Sequence, residues 1–283
     1  RDCLLSRGLG DVYKRQDTYR LLPYLMEDVE FIQAVEKHPK LFTGFSDTTI
    51  NHLMFYKLGL STYYGPTFIC DLGEISDEML PYSKRAFESY LEGEDYKEIV
   101  ASEIWYEERK DFSAKAIGTN RIAHKEERGF ELLQGSEIFQ GRLLGGCLES
   151  LYDILTTTRY QDEKAVCEKY GLFPSIEEWK DKILFIETCE EKPAPELFEK
   201  EISLLKEKGV FDVVNGVLVG KPQDETYYQE YAEILVRVID NRQLPIVYNV
   251  NFGHATPRCA LQYGVMAEVD MKQKKIVLIH PIA

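Results

Sequence analysis

The chain has no Lys/Arg-rich run, no apolar stretch of bilayer-spanning length and no paired-cysteine motif. Each absence excludes a class. With a formal net charge of −14 and no clustered cations, a surface for nucleic acid or an acidic membrane is excluded, because polyanions are repelled. A membrane helix needs about 18 consecutive apolar residues, and no stretch approaches that length. Six cysteines (Cys3, Cys70, Cys147, Cys167, Cys189, Cys259) are scattered without CxxC or metal-ligand spacing. Neither a disulfide scaffold nor a metal site is signalled, and no cofactor motif is found. No signal peptide is recognised either. A reduced, cytoplasmic protein is the expectation.

What is present is size and apolar content. With 283 residues and 44% hydrophobic side chains, the chain can bury a core for one large or two medium domains, and two are expected. Residues 1–16, RDCLLSRGLGDVYKRQ, lack an initiating Met and any helix or strand period, and carry four basic and two acidic side chains in an otherwise acidic chain. They are expected to be non-native, adaptor-derived sequence outside the fold.

From Asp17 the period is helical. Val29, Ile32 and Val35 recur at three-residue spacing until His38-Pro39, where the residue before proline leaves the helical region. LFTGF reads as a short buried strand, and DTTINHLMFYKLGL as a helix with Ile50, Leu53, Met54 and Leu58 on its apolar side. A parallel sheet built from such units needs strands before this one, so the N-terminal part is read as incomplete. From about Gly135 helices alternate with β-rich runs: GRLLGGC, DKILFIE, VNGVLVG and LPIVYNV, then the hairpin GVMAEVDMKQKKIVLIH. The expected fold class is therefore α/β. An incomplete Rossmann-like subdomain spans 17–65, an acidic and aromatic connecting or covering region 66–134, and a domain with a largely parallel sheet and a terminal hairpin 135–283.

Ser46 falls at the seam between the LFTGF strand and the following helix. A serine there is held on a sharp turn beside a helix N-terminus, where backbone N–H groups such as that of Asp47 can face a developing oxyanion. The plain alternative is that Ser46, Asp47 or Thr48 caps the helix. GFSD lacks the second glycine of the GxSxG elbow. Among five histidines, His38, His52, His124 and His280 read as structural or solvated. His254 differs, lying just past the apolar strand LPIVYNV in a loop bounded by Gly253 and Pro257. Glu187 likewise ends the strand ILFI, whereas Glu190 and Glu191 read as part of a solvated face. Ser46, Glu187 and His254 thus share one address, the C-terminal ends of predicted strands, where ligands bind in open α/β sheets.

Four ordered segments, PYL with HPKLFTGFSDTT, GRLLGGCLESL, ILFIET with EEKP, and NFGHATP, resemble the LD-carboxypeptidase family of serine peptidases, most closely its branch related to microcin C self-immunity peptidases. The resemblance runs from about Asp17 to the C-terminus. It implies Ser46 as nucleophile, Glu187 as the acidic member and His254 as the base. It implies hydrolysis of an amide through an acyl-enzyme, without metal, in a homodimer. An N-terminal segment with the first strands and a second oxyanion donor belongs to the family pattern and is absent or replaced by residues 1–16. The substrate implied is an aminoacyl nucleotide or, alternatively, a murein tetrapeptide. Trp105 in EIWYEE resembles a nucleobase-stacking residue, and Lys192 in EEKP is placed to pair with a substrate carboxylate, although packing and solvation are the plain readings of both. A non-catalytic binding protein on the same fold, or an inactive truncated member of it, is the competing reading. Residues 66–134 are the expected lid.

Overall fold

The computed structural model describes residues 15–89 and 96–279. The expected non-native segment falls outside these residues apart from its last two, which open a 3-10 helix, Arg15–Leu21. His280 lies outside them as well.

The helix expected after Asp28 is formed by Val29–Lys37, its N-terminus capped by the Asp28 carboxylate, which accepts from the N–H groups of Glu30 and Phe31. None of its residues is fully buried. Its three-residue spacing marks a half-buried surface helix resting on Phe55 through Phe31. The strand read in LFTGF narrows to β1 (Thr43–Gly44), which pairs in parallel with β2 (Tyr63–Tyr64). The helix between them, Thr49–Lys57, buries Ile50, Leu53 and Met54 as its spacing demanded. It also buries His52, held by Thr62 Oγ1 (2.7 Å) and the Gly44 carbonyl (3.1 Å). Burial holds that imidazole neutral, its pKa depressed to about 3.

Residues 96–147 contribute β3 (Tyr96–Val100), β4 (Ile104–Tyr106), β5 (Ala123–Lys125), β6 (Glu131–Gln134) and β7 (Ile138–Cys147). Then follow β8 (Lys182–Glu187), β9 (Gly216–Gly220), β10 (Ile246–Val250), β11 (Leu261–Gln262), β12 (Met266–Asp270) and β13 (Lys275–Ile279). The main sheet runs β3-β13-β12-β7-β8-β9-β10-β6. Strands β7 to β10 are mutually parallel, while β12, β13, β3 and β6 are antiparallel additions at the two sides. The parallel centre follows from composition. ILFIE, GVLVG and IVYNV are buried at every residue, as strands covered on both faces must be.

Helices close over this centre. Pro195–Glu207 starts with proline in its first turn and buries Phe198, Ile202 and Leu205, each contributing about 1.5–3 kcal/mol. It packs against Tyr228–Ile239, whose Tyr231 stacks on Phe198. Two strands from the 66–134 stretch, β3 and β6, join the main sheet, while β4 and β5 form a separate hairpin. Strand β11 crosses back to pair with β2, which draws the segment after His254 against the Ser46 region.

Candidate active site

Phe45 is extended, Ser46 has φ of 65°, and a 3-10 turn over Ser46–Thr48 leads into the helix. A left-handed φ on a residue with a side chain costs on the order of 1 kcal/mol, so surrounding contacts must hold it. Thr49 supplies two of them: its hydroxyl donates to the Ser46 carbonyl (2.7 Å) and accepts from the Cys147 N–H (2.9 Å). The close approach explains Gly146, because a Cβ on it would lie 2.4 Å from Thr49 Cγ2.

The Ser46 N–H donates to the Tyr64 hydroxyl (2.9 Å), and that hydroxyl donates to Glu187 Oε1. Burial, with Glu187 beside it, raises the Tyr64 pKa well above the ordinary range and keeps it a donor. The second oxygen, Glu187 Oε2, accepts from His254 Nδ1 (2.8 Å) and from the His254 backbone N–H (3.1 Å). Gly253, at φ 82°, permits this contact, since a Cβ there would sit 2.3 Å from the Glu187 carboxyl carbon. Phe45 stands edge-on to the His254 ring at 4.9 Å between centroids. Ser46, Glu187 and His254 therefore belong to one buried cluster.

No hydrogen bond joins Ser46 Oγ to His254 among the described residues. Nε2 instead meets Glu190 Oε2 at 2.8 Å, an ion-pair contact without hydrogen-bond geometry. Burial pulls the imidazole pKa down, but the charges of Glu187 and Glu190 outweigh it and raise it to about 10. His254 in this arrangement is an imidazolium clamped between two carboxylates.

Residues 16–65 match the LD-carboxypeptidase N-terminal domain and residues 140–269 the LD-carboxypeptidase C-terminal domain. An MccF-like protein from Streptococcus pneumoniae, solved in complex with AMP, is 50% identical and superposes with a TM-score of 0.89 over 93% of this chain and 76% of its own. The chain belongs to the LD-carboxypeptidase family. The microcin C7 self-immunity protein MccF of Escherichia coli is 28% identical across 97% of this chain and 72% of its own length. A structure of the microcin C7 self-immunity protein in complex with aspartyl sulfamoyl adenosine superposes with a TM-score of 0.74, at 27% identity, over 93% of this chain and 73% of that one. Peptidase-type chemistry is thus the family's activity.

In this LD-carboxypeptidase fold the Asp47 side chain is bound by both terminal nitrogens of Arg159, at 2.9 and 3.2 Å. Trp105, on β4, faces His124 on β5, and the rings stack at 4.2 Å; Lys221 Nζ lies 5.0 Å from the indole centroid. The hairpin is tied to the His254 loop by the Tyr106 N–H, which donates to the Thr256 carbonyl at 2.8 Å. Lys192 is engaged with Asp224 (2.6 Å) and Glu108 (3.5 Å), so a substrate carboxylate would compete with two resident ones.

Four residues escaped sequence reasoning. Glu190, read as solvated, reaches His254 although its side chain is 42% exposed. Tyr64 carried no periodic signal, but its place in STYYGP after a helix and before a Gly-Pro turn marked a strand end. His124 shares a hairpin register with Trp105. Arg258 is buried, donating to the carbonyls of Gly253 (2.7 Å) and His254 (3.1 Å) and to Asp71 (2.7 Å). A buried arginine has no sequence mark beyond its proximity to NFGH.

Proposed function

We propose that this protein is a serine-type amidase of the LD-carboxypeptidase family, with Ser46 as nucleophile, His254 as base and Glu187 as its orienting carboxylate. One observation carries the reading: Glu187 holds His254 through Nδ1 and, through Tyr64, the backbone of the strained Ser46 turn. Once Glu190 withdraws and the imidazolium releases its Nε2 proton to solvent, the neutral Nε2 accepts the Ser46 hydroxyl proton and Oγ attacks the substrate carbonyl. The tetrahedral oxyanion is met by the Asp47 N–H, a donor of a kind worth about 2.7–4 kcal/mol. The imidazolium gives its proton to the leaving nitrogen, the C–N bond breaks, and water activated by His254 clears the ester on Ser46.

The favoured substrate is an aminoacyl nucleotide. Related proteins have been solved with AMP and with aspartyl sulfamoyl adenosine, and Trp105 supplies an aromatic face beside the His254 loop. Base stacking of this kind is worth roughly 1–3 kcal/mol, and here it must compete with the His124 stack. Cleavage of a murein tetrapeptide is the second reading, favoured by the LD-carboxypeptidase domains that match the chain.

The test is incubation with aspartyl sulfamoyl adenosine and, separately, with murein tetrapeptide, followed by mass spectrometry. Release of aspartate and sulfamoyl adenosine is expected, with kcat/KM lowered roughly 10³-fold or more in Ser46→Ala. D-alanine release without nucleotide cleavage would reverse the substrate assignment, and an unaffected Ser46→Ala would end the nucleophile's.

A further inference from the structure

Cys147 and Glu187 end adjacent parallel strands and are register partners, so their side chains share one face of the sheet. His254 enters the same space from the loop after β10. One ligand atom from each, the Cys147 sulfur, a Glu187 oxygen and a His254 ring nitrogen, all lie within 4.8 Å of one another, and all three residues are buried. Scattered cysteines gave no such signal along the chain, because the set is assembled from residues 40 and more positions apart.

We propose that Cys147, Glu187 and His254 form an inhibitory site for a thiophilic divalent cation of the zinc class. The donor set, one thiolate, one imidazole and one carboxylate, is the set that tetrahedral zinc accepts at about 2.0–2.3 Å, with a fourth position left over. Contraction from within 4.8 Å to ligand separations of roughly 3.3–3.6 Å is a side-chain adjustment.

Two further features point to a cation. His254 Nε2 is buried and, among the described residues, met only by the Glu190 carboxylate, 2.8 Å away and without hydrogen-bond geometry, which adds negative charge at the mouth of the site. The Cys147 thiol is oriented by its hydrogen bond to Glu149 Oε2 at 3.0 Å, a second carboxylate beside the sulfur. The Cys147 side chain makes no contact the amidase reaction requires, and the backbone N–H that it gives to Thr49 survives replacement of the sulfur. A bound cation displaces a ring proton of His254 to solvent and takes up the lone pair and the carboxylate on which His254 and Glu187 would act, so it switches hydrolysis off.

Binding is independent of the amidase reading, whereas inhibition rests on it, and two measurements keep them apart. Cobalt(II) added to chelator-treated protein is expected to produce a thiolate-to-cobalt charge-transfer band, absent in Cys147→Ser and weakened in His254→Asn. Zinc at one equivalent is expected to reduce hydrolysis at least tenfold, reversibly with chelator, while Cys147→Ser keeps its activity and loses the sensitivity. Circular dichroism of each variant checks its fold, and Cys147→Ala serves if the serine variant is unstable. No band in the parent, or a band that survives in the folded Cys147 variant and so belongs to another thiol such as Cys189, overturns the site.

Discussion

With Oε2 of Glu190 2.8 Å from Nε2 and Oε2 of Glu187 2.8 Å from Nδ1, the His254 ring is bracketed by negative charge on both nitrogens. The two carboxylates are not equivalent. Glu187 is buried and also receives Tyr64, so it cannot leave; Glu190 is partly exposed in the loop after β8 and can. A base must be neutral to accept a proton, and the imidazole pKa of about 10 keeps it charged at neutral pH while Glu190 stays. Removing that charge lowers the pKa, so in chelator-treated Glu190→Gln the ascending limb of kcat/KM against pH moves to lower pH. Moving that limb by roughly one pH unit makes the rate at any pH along it about tenfold higher. A profile that superimposes on the parent's would show that Glu190 is already away from the ring in solution.

The loop over residues 251–260 is the element that aims His254, and Arg258 is its internal brace. Its guanidinium bonds Gly253, His254, Thr256 and Asp71 and lies over the Phe45 ring, 4.4 Å from the centroid. No lysine can make that fork with one ammonium. Arg258→Lys leaves the Asp71 carboxylate buried and poorly paired, at a cost on the order of 3 kcal/mol. Urea unfolding should show that loss, and steady-state kinetics should show kcat falling tenfold or more with KM nearly unchanged, since the part given to this loop in the proposed mechanism is to orient the base. A fall in stability alone would make Arg258 purely structural. The contrast with His254 explains what could be read beforehand. His254 follows a five-residue apolar strand, a local pattern, whereas Arg258 reaches Asp71, 187 residues away, and Tyr64 reaches Glu187 across 123. Apolar periodicity reports which residues are buried, not which polar partner waits for them.

The same limit holds for the whole molecule. The alternating helices and strands from Ile138 onward, the terminal hairpin and the strand-end address of Ser46, Glu187 and His254 were legible because each is a short-range pattern. The joining of β3 and β6 to the main sheet was not, since their acidic and aromatic side chains resemble surface sequence. Also illegible was a set of carboxylates behind the Ser46 turn, the buried Asp47 and Glu163 and the partly buried Asp153, around the guanidinium of Arg159. Glu163 is fully buried and neither carboxylate oxygen has a hydrogen-bond partner. Burial first, then Asp153, raises its pKa from 4.5 to about 7, with Asp47 and Asp162 adding to the rise and Arg159 opposing it. An acid with a raised folded pKa destabilises the fold as pH climbs, because the unfolded chain releases its proton near 4.5 while the folded chain holds it until about 7. The loss accumulates between those values to about 3 kcal/mol and is constant above them. Glu163→Gln has no proton to lose, so its Tm should match the parent's near pH 4.5 and exceed it by several degrees at about pH 8. A parent that stays the more stable protein at that higher pH would mean that the ionised Glu163 finds a partner, Arg159 being the cation within reach.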